Sequence, residues 1–233
     1  MVAELLGTAC VKLHMQAVLL DIDGTLVDSN DKHAECWIEA FAHFGKQVEW
    51  KTIRSQIGKG GDLLVPDTLN AREMRDFGEP LKKYRGQLWK DKYMKSVQPF
   101  AGAIDAIRAI HARGVRVALA SSSNPDEVEY YVELLGVGDL LQGTTSKEDA
   151  EFSKPSPEIF QAALERVKSD PARTFAVGDT PYDILAAHRV PVPVVAVRCG
   201  GFPEETLTKA EFVFDDLGAM TRELDRIDEY FRE

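Results

Sequence analysis

The run Ala17-Val18-Leu19-Leu20-Asp21-Ile22-Asp23-Gly24-Thr25 decides how the rest of the chain is read. Four apolar residues without alternation fit a strand buried on both faces, as in a parallel sheet. The polar stretch behind them ends the strand in a turn. Working outward, residues 30–97 carry no strand pattern. Ala34, Trp37, Ile38, Phe41 and Phe44 recur at helical spacing, and Leu63, Leu64, Leu81, Tyr84, Leu88 and Trp89 predict further helices. Glycines at 45, 58, 60, 61 and 78 punctuate this stretch.

The pattern changes again after Pro99. Ile104, Ile107 and Ile110 form a helical stripe, and Val115–Ala120 reads as a strand. Asn124-Pro125-Asp126-Glu127 predicts a helix start with Asn124 as N-cap and Glu127 closing a capping box, and Ser156-Pro157 predicts another. Strands are expected at 174–177, at 192–197 near the sheet edge because of Pro193, and at 211–214, with a helix opening at Thr180. Strands alternating with helices define an α/β class: a doubly wound, parallel, Rossmann-like sheet. The predicted division is a core of residues 1–29 and 98–233 with an all-helical domain, 30–97, inserted after the first strand. Hinges are expected near 28–32 and 95–99.

The chain has 233 residues, 28 Lys+Arg and 38 Asp+Glu, for a net charge of −10. That balance repels phosphate backbones and argues against a broad nucleic-acid surface. No apolar run approaches the roughly 18 residues of a spanning helix, so no membrane partner is expected. Cys10, Cys36 and Cys199 are scattered and odd in number, which fits neither a disulfide framework nor a zinc site and suits a reducing, cytoplasmic setting. The start of the chain lacks the pattern of a secretory signal, and residues 1–14 are expected to be a loose extension, with Met15 an alternative start. Monomer and dimer are equally open.

Polar residues gather where the predicted strands end. Asp21 and Asp23 follow the first strand, Ser121 the second, and Asp179 the 174–177 strand; Lys154 lies in the loop before the Ser156 helix. Ligands of open α/β sheets bind at that edge. Asp21 and Asp23 project to one side while the chain stays extended, and close carboxylates repel unless a cation or proton intervenes. With Asp179 as a third oxygen ligand and no His or Cys ligand nearby, the set suits a hard ion, most simply Mg²⁺. A hydroxyl, a lysine, the ion and backbone N–H groups together suit a phosphoryl group. A carboxylate can attack phosphorus once the opposing charges are neutralised.

These stretches resemble the haloacid dehalogenase superfamily in its phosphatase form. Asp21-Ile22-Asp23-Gly24-Thr25-Leu26-Val27-Asp28 is similar to its first motif and Ser121 after Val-Ala-Leu-Ala to its second. Ser153-Lys154-Pro155-Ser156-Pro157-Glu158-Ile159-Phe160 is similar to the third, and Gly178-Asp179-Thr180-Pro181-Tyr182-Asp183-Ile184-Leu185-Ala186-Ala187 to the fourth. The helical insertion resembles the cap of phosphoglycolate phosphatase-like and β-phosphoglucomutase-like members. The resemblance implies Asp21 as nucleophile, Asp23 as acid/base, and Ser121 and Lys154 as holders of the phosphoryl group. It also implies Mg²⁺ bound by the Asp21 and Asp179 side chains and the Asp23 carbonyl, with Asp183 orienting the ion's water shell. The implied activity is hydrolysis of a small phosphomonoester metabolite through an aspartyl-phosphate, with a sugar phosphomutase as the alternative.

Each residue also has a plainer reading. Asp-x-Asp-Gly occurs in turns, and a calcium loop begins alike, but its sixth and twelfth places would hold Leu26 and Lys32 here. Asp183 sits in the first helical turn after Thr180, where an acid also serves the helix. His33, one turn from Trp37, resembles a position that couples cap closure to the acid/base; a helix-surface histidine is the alternative. Lys59, between glycines, either reaches the substrate or belongs to a flexible connector. Gly24, Thr25, Ser122, Asn124, His33 and Lys59 complete the expected substrate contacts.

Overall fold

The computed structural model describes residues 14–232. Six parallel strands form one sheet in the order β3-β2-β1-β4-β5-β6. They are β1 Ala17–Leu20, β2 Arg116–Ala120, β3 Gly143–Thr145, β4 Thr174–Gly178, β5 Val194–Val197 and β6 Phe212–Phe214. The chain runs outward from β1 through β2 to β3, then returns to β4 beside β1 and runs out the other way. Connections therefore diverge between β1 and β4, and the C-terminal ends of β1, β2 and β4 share one edge.

Side-chain alternation builds two different faces. Val18, Leu20, Val117, Leu119, Phe175, Val177, Val195 and Val197 enter one apolar cluster. Ala17, Leu19, Ala118, Ala120, Ala176, Val194 and Ala196 enter the other. The second face is rich in alanine, so the helix Glu158–Val167 seats Ile159, Phe160 and Ala163 directly on it. Tight packing of this kind positions the loop just before that helix, which carries Lys154.

Between β1 and β2 the chain is helical. The main helices are Asn30–His43, Trp50–Arg54, Gly61–Thr68 and Glu79–Leu88, with wider π-helical turns at Met74–Gly78 and Trp89–Tyr93. Ala34, Trp37, Phe41, Ile53, Leu64 and Leu81 form a separate apolar cluster. Cys36, Trp89, Tyr93 and Val97 join the sheet's cluster instead, which anchors the base of the helical block.

Several expectations change in detail. β3 was absent from the predicted elements: Gly-Thr-Thr is short and glycine-led, and only its pairing with β2 makes it a strand. β5 lies near the sheet edge as expected, with β6 alone outside it, but it is shorter than expected and Pro193 falls just before it. Asn124 occupies the N-cap of Pro125–Leu135, but no side-chain capping bond forms; Asn124 Nδ2 donates to Glu127 Oε1 at 2.8 Å instead. The helix after Ser156 begins at Glu158 with Pro157 in the cap position, and Ser156 Oγ donates to Glu158 Oε1. The proposed extension at 1–14 lies, up to residue 13, outside the described residues. His14 and Met15 are tied down: both backbone N–H groups donate to Asp228 Oδ1, at 2.9 and 2.7 Å. No helix among the described residues is long and apolar enough to cross a membrane.

Leu19 is fully buried on the central strand. Leu19→Ala is expected to lower unfolding stability by about 2–5 kcal/mol in urea titrations, and a loss below about 1 kcal/mol would contradict this packing.

Candidate active site

Asp21 is the first residue past β1, Ser121 the first past β2 and Asp179 the first past β4. Parallel register puts these three side by side. Lys154 arrives from the loop ahead of Glu158–Val167, and Asp183 from the first turn of Pro181–His188. Asp21, Ser121, Lys154, Asp179 and Asp183 are all buried.

The ammonium of Lys154 ties the cluster together. Nζ donates to Asp21 Oδ1 at 2.5 Å and to the Ala120 carbonyl at 2.9 Å, and lies 2.7 Å from Asp183 Oδ1. Asp21, Asp179 and Asp183 each offer an oxygen within 4.8 Å of the others. One ammonium thus faces three buried carboxylates. Burial raises the Asp21 carboxyl to about 7 despite Lys154, with Asp183 adding repulsion. Burial and the charges of Asp183 and Asp21 push Asp179 well above its ordinary value. Lys154 shows the reverse: burial disfavours its charge, but Asp183 and Asp21 hold the ammonium above its usual range.

These observations test a metal directly. The donors are all hard oxygens, they are buried, and they carry more negative charge than the lysine neutralises. A divalent cation such as Mg²⁺ fits that set, whereas a soft metal lacks thiolate or imidazole ligands here. The carboxylates grouped here are those of Asp21, Asp179 and Asp183; the Asp23 side chain, which spacing paired with Asp21, lies outside the group. Asp183 also serves its helix: Oδ2 accepts from the Thr180 N–H and hydroxyl, so the capping and cluster roles coexist.

Asp23 belongs to a different network. Oδ1 accepts from Ser29 Oγ at 2.6 Å and lies 2.9 Å from His33 Nε2, while Oδ2 accepts from Ser123 Oγ at 2.8 Å. Burial pushes this carboxyl up, but His33 and the two hydroxyls hold it well below the ordinary range. Arg85 Nη2 lies 2.5 Å from His33 Nδ1. A guanidinium only donates, so Nδ1 accepts and Nε2 carries the proton given to Asp23. Trp89 stacks on the His33 ring at 3.7 Å and fixes its plane.

A cavity of about 360 Å³ opens between this edge and the helical block. Of the expected residues, Asp21, Asp23, His33, Lys59, Ser121, Ser122, Asn124, Lys154 and Asp183 line it. Gly24, Thr25 and Asp179 do not. Thr25 is fully buried, with Oγ1 3.2 Å from both Asp21 Oδ2 and Asp179 Oδ1, so its hydroxyl orients carboxylates. Gly24 has φ +81°, and an added Cβ there would strike Asn30 and Asp179. The Lys59 ammonium is held by Asp67 Oδ2 at 2.7 Å.

Arg85, Ser29, Ser123 and Asn30 were missed. Asn30 Nδ2 donates to Asp179 Oδ2 at 2.7 Å and also to the Gly200 carbonyl, a link across 170 residues of sequence. Arg85 had no local signal, being one of several basic residues on its helix. Ser123 was available in the Ser121-Ser122-Ser123 run, but only the turn shows that the third hydroxyl faces Asp23.

A parallel sheet with an aspartate-rich site at its topological switch point places the protein among the doubly wound α/β proteins that bind ligands at that edge. The haloacid dehalogenase-like hydrolase family model matches residues 15–190. The chain belongs to this family: it is an enzyme, a hydrolase, and its motifs have the form of the family's phosphoric monoester hydrolases. A pyrophosphatase PpaX of Bacillus mycoides is 23% identical over 218 residues, covering 92% of this chain and 99% of the relative. A hydrolase structure from Pseudomonas syringae superposes with TM-score 0.84 at 24% identity, covering 91% of this chain and 99% of that one. A β-phosphoglucomutase from Clostridium difficile gives 0.74 at 20%, covering 94% and 100%.

The raised carboxyls have a sign. Between 3.8 and about 7, folded Asp21 holds a proton that the unfolded chain has lost, so its contribution to stability falls as pH rises through that window and stays lower above it. With chelator present, melting temperature should be lower at pH 8 than at pH 6, and less so in Asp21→Asn. Added Mg²⁺ should raise it more at pH 8, where Asp21 has lost its proton; an equal shift at both pH values would refute the charge argument.

Proposed function

We propose that this hydrolase is a Mg²⁺-dependent phosphatase of small phosphomonoesters that works through an aspartyl-phosphate on Asp21. The observation that supports it most is the Lys154 ammonium on Asp21, beside Asp179 and Asp183. An anion attacking a phosphate dianion needs neutralising positive charge, which Lys154 supplies in part and a cation on the remaining carboxylates would complete.

Asp21, Asp179 and the Asp23 carbonyl would hold Mg²⁺, with Asp183 behind them; when bound, the ion supplies charge neutralisation for the phosphoryl oxygens. Asp21 Oδ attacks phosphorus while Lys154 and Ser121 hold the transferring group. The bond from phosphorus to the leaving oxygen breaks, and Asp23 gives that oxygen a proton. Asp23 starts ionised, because three donors hold it so, and takes its proton from the arriving phosphomonoester monoanion. It then removes a proton from the water that attacks the acyl phosphate, releasing inorganic phosphate and restoring Asp21.

Residues 30–97 act in this reading as a cap that excludes bulk water. Ser55 O accepts from Tyr182 OH, Asp62 Oδ2 accepts from Ser153 N–H, and Arg54 donates to the Gly200 carbonyl. His33 and Arg85 then join the cap to Asp23. A cavity of this size suits a metabolite.

Asp21→Asn should lower phosphate release by at least about 10³-fold while leaving the circular-dichroism spectrum and the fold unchanged. Retention of most activity with Mg²⁺ present would show that another group is the nucleophile. Isomerised sugar phosphate in place of free phosphate would make the enzyme a mutase.

A further inference from the structure

Asn124-x-x-Glu127 has the sequence of a capping box, yet neither side chain caps the helix. Asn124 Nδ2 and Glu127 Oε1 bond to each other at 2.8 Å, and both residues line the cavity. Glu127 is only 2% exposed. Among the described residues its carboxylate has no ion-pair partner, and Oε2 has no hydrogen-bond partner. Oε2 is not one of the fully enclosed polar atoms, so this oxygen of a cavity-lining residue is open to a ligand. An acid in the first turn does suit the helix dipole, but Asp126, exposed and paired with Lys90, already fills that role.

The surroundings narrow what Oε2 accepts from. Lys82, Lys83, Arg85 and Lys147 line the same cavity. Lys83 and Lys147 have no ion-pair partner among the described residues. Those charges repel an ammonium, while a carboxylate acceptor rejects a second anion at its own position. A neutral hydroxyl satisfies both conditions, since it donates to the carboxylate without adding charge.

We propose that Glu127, oriented by Asn124, is a specificity-determining residue that accepts a hydrogen bond from a hydroxyl of the leaving group, so that the preferred substrates are phosphomonoesters of polyols or sugars. This inference rests on the phosphatase reading above.

The test compares leaving groups of similar length. Phosphate release is measured from 2-hydroxyethyl phosphate and glycerol 1-phosphate, from n-propyl phosphate, and from 2-aminoethyl phosphate. In the wild type kcat/KM should favour the hydroxylated esters over n-propyl phosphate by at least about tenfold, as a hydrogen bond to a charged acceptor allows. 2-Aminoethyl phosphate should gain no such advantage. Glu127→Gln keeps the bond from Asn124 but replaces the charged acceptor with a neutral donor to the hydroxyl and should lower the hydroxyl preference severalfold, mainly through KM, while Glu127→Met, which offers the hydroxyl no strong partner, should bring it close to one. A purely structural role would lower all esters alike and leave the ratio unchanged. An unchanged ratio in Glu127→Gln, no hydroxyl preference in the wild type, or a preference for the amine would each overturn the proposal. p-Nitrophenyl phosphate separates the two readings. If it is hydrolysed but hydroxyls confer nothing, only the role of Glu127 falls. If it is not hydrolysed with Mg²⁺ present, the phosphatase reading fails and this inference with it.

Discussion

One ammonium among three buried carboxylates is the constraint on which this molecule turns. Lys154 cannot reach Asp21 and Asp183 unless its loop lies tight against the sheet, and the alanine-rich face makes that possible. The carboxylates in turn tolerate burial only because the lysine, Thr25 and Asn30 share their charge. What remains uncompensated is negative charge that a divalent cation could neutralise. Stability and chemistry are opposed here, as they commonly are where like charges are gathered.

The two aspartates of the first motif are separated by environment. Asp21 is pushed up toward neutrality by burial, whereas Asp23 is drawn down by His33, Ser29 and Ser123. Two carboxyls two residues apart can thus take different tasks. The Asp23 network crosses from the sheet edge to the helical block through His33 and Arg85. Residues of the same block line the cavity, so Asp23 and the cavity wall share hydrogen-bond partners.

Much of the fold was legible. The unbroken apolar run at 17–20 marked a doubly covered strand, and helical spacing at 34, 37 and 41 marked the insertion's first helix, because both periodicities follow from burial. β3 was not legible, since three residues led by glycine carry too little pattern. The helix starts at Asn124 and Ser156 were readable as boundaries, but their side-chain bonds were not. Capping is a local competition, and at 124 and 127 the cavity won it. In the site, Asp21, Ser121, Lys154 and Asp179 stood out because each follows a strand or sits in a distinctive local context. Arg85, Asn30 and the hydroxyl of Ser123 carry no such mark.

Residue order alone determined the strand ends and the polar groups placed on them, since alternation, turns and apolar runs are properties of neighbouring residues. Tertiary structure decided which side chain joins which network: the Asp183 carboxylate beside Asp21 and Asp179, the Asp23 carboxylate with His33, and the Thr25 hydroxyl against carboxylates. The reason is that charge and hydrogen bonding act over a few ångströms in space, and those distances close only when segments more than a hundred residues apart are packed together.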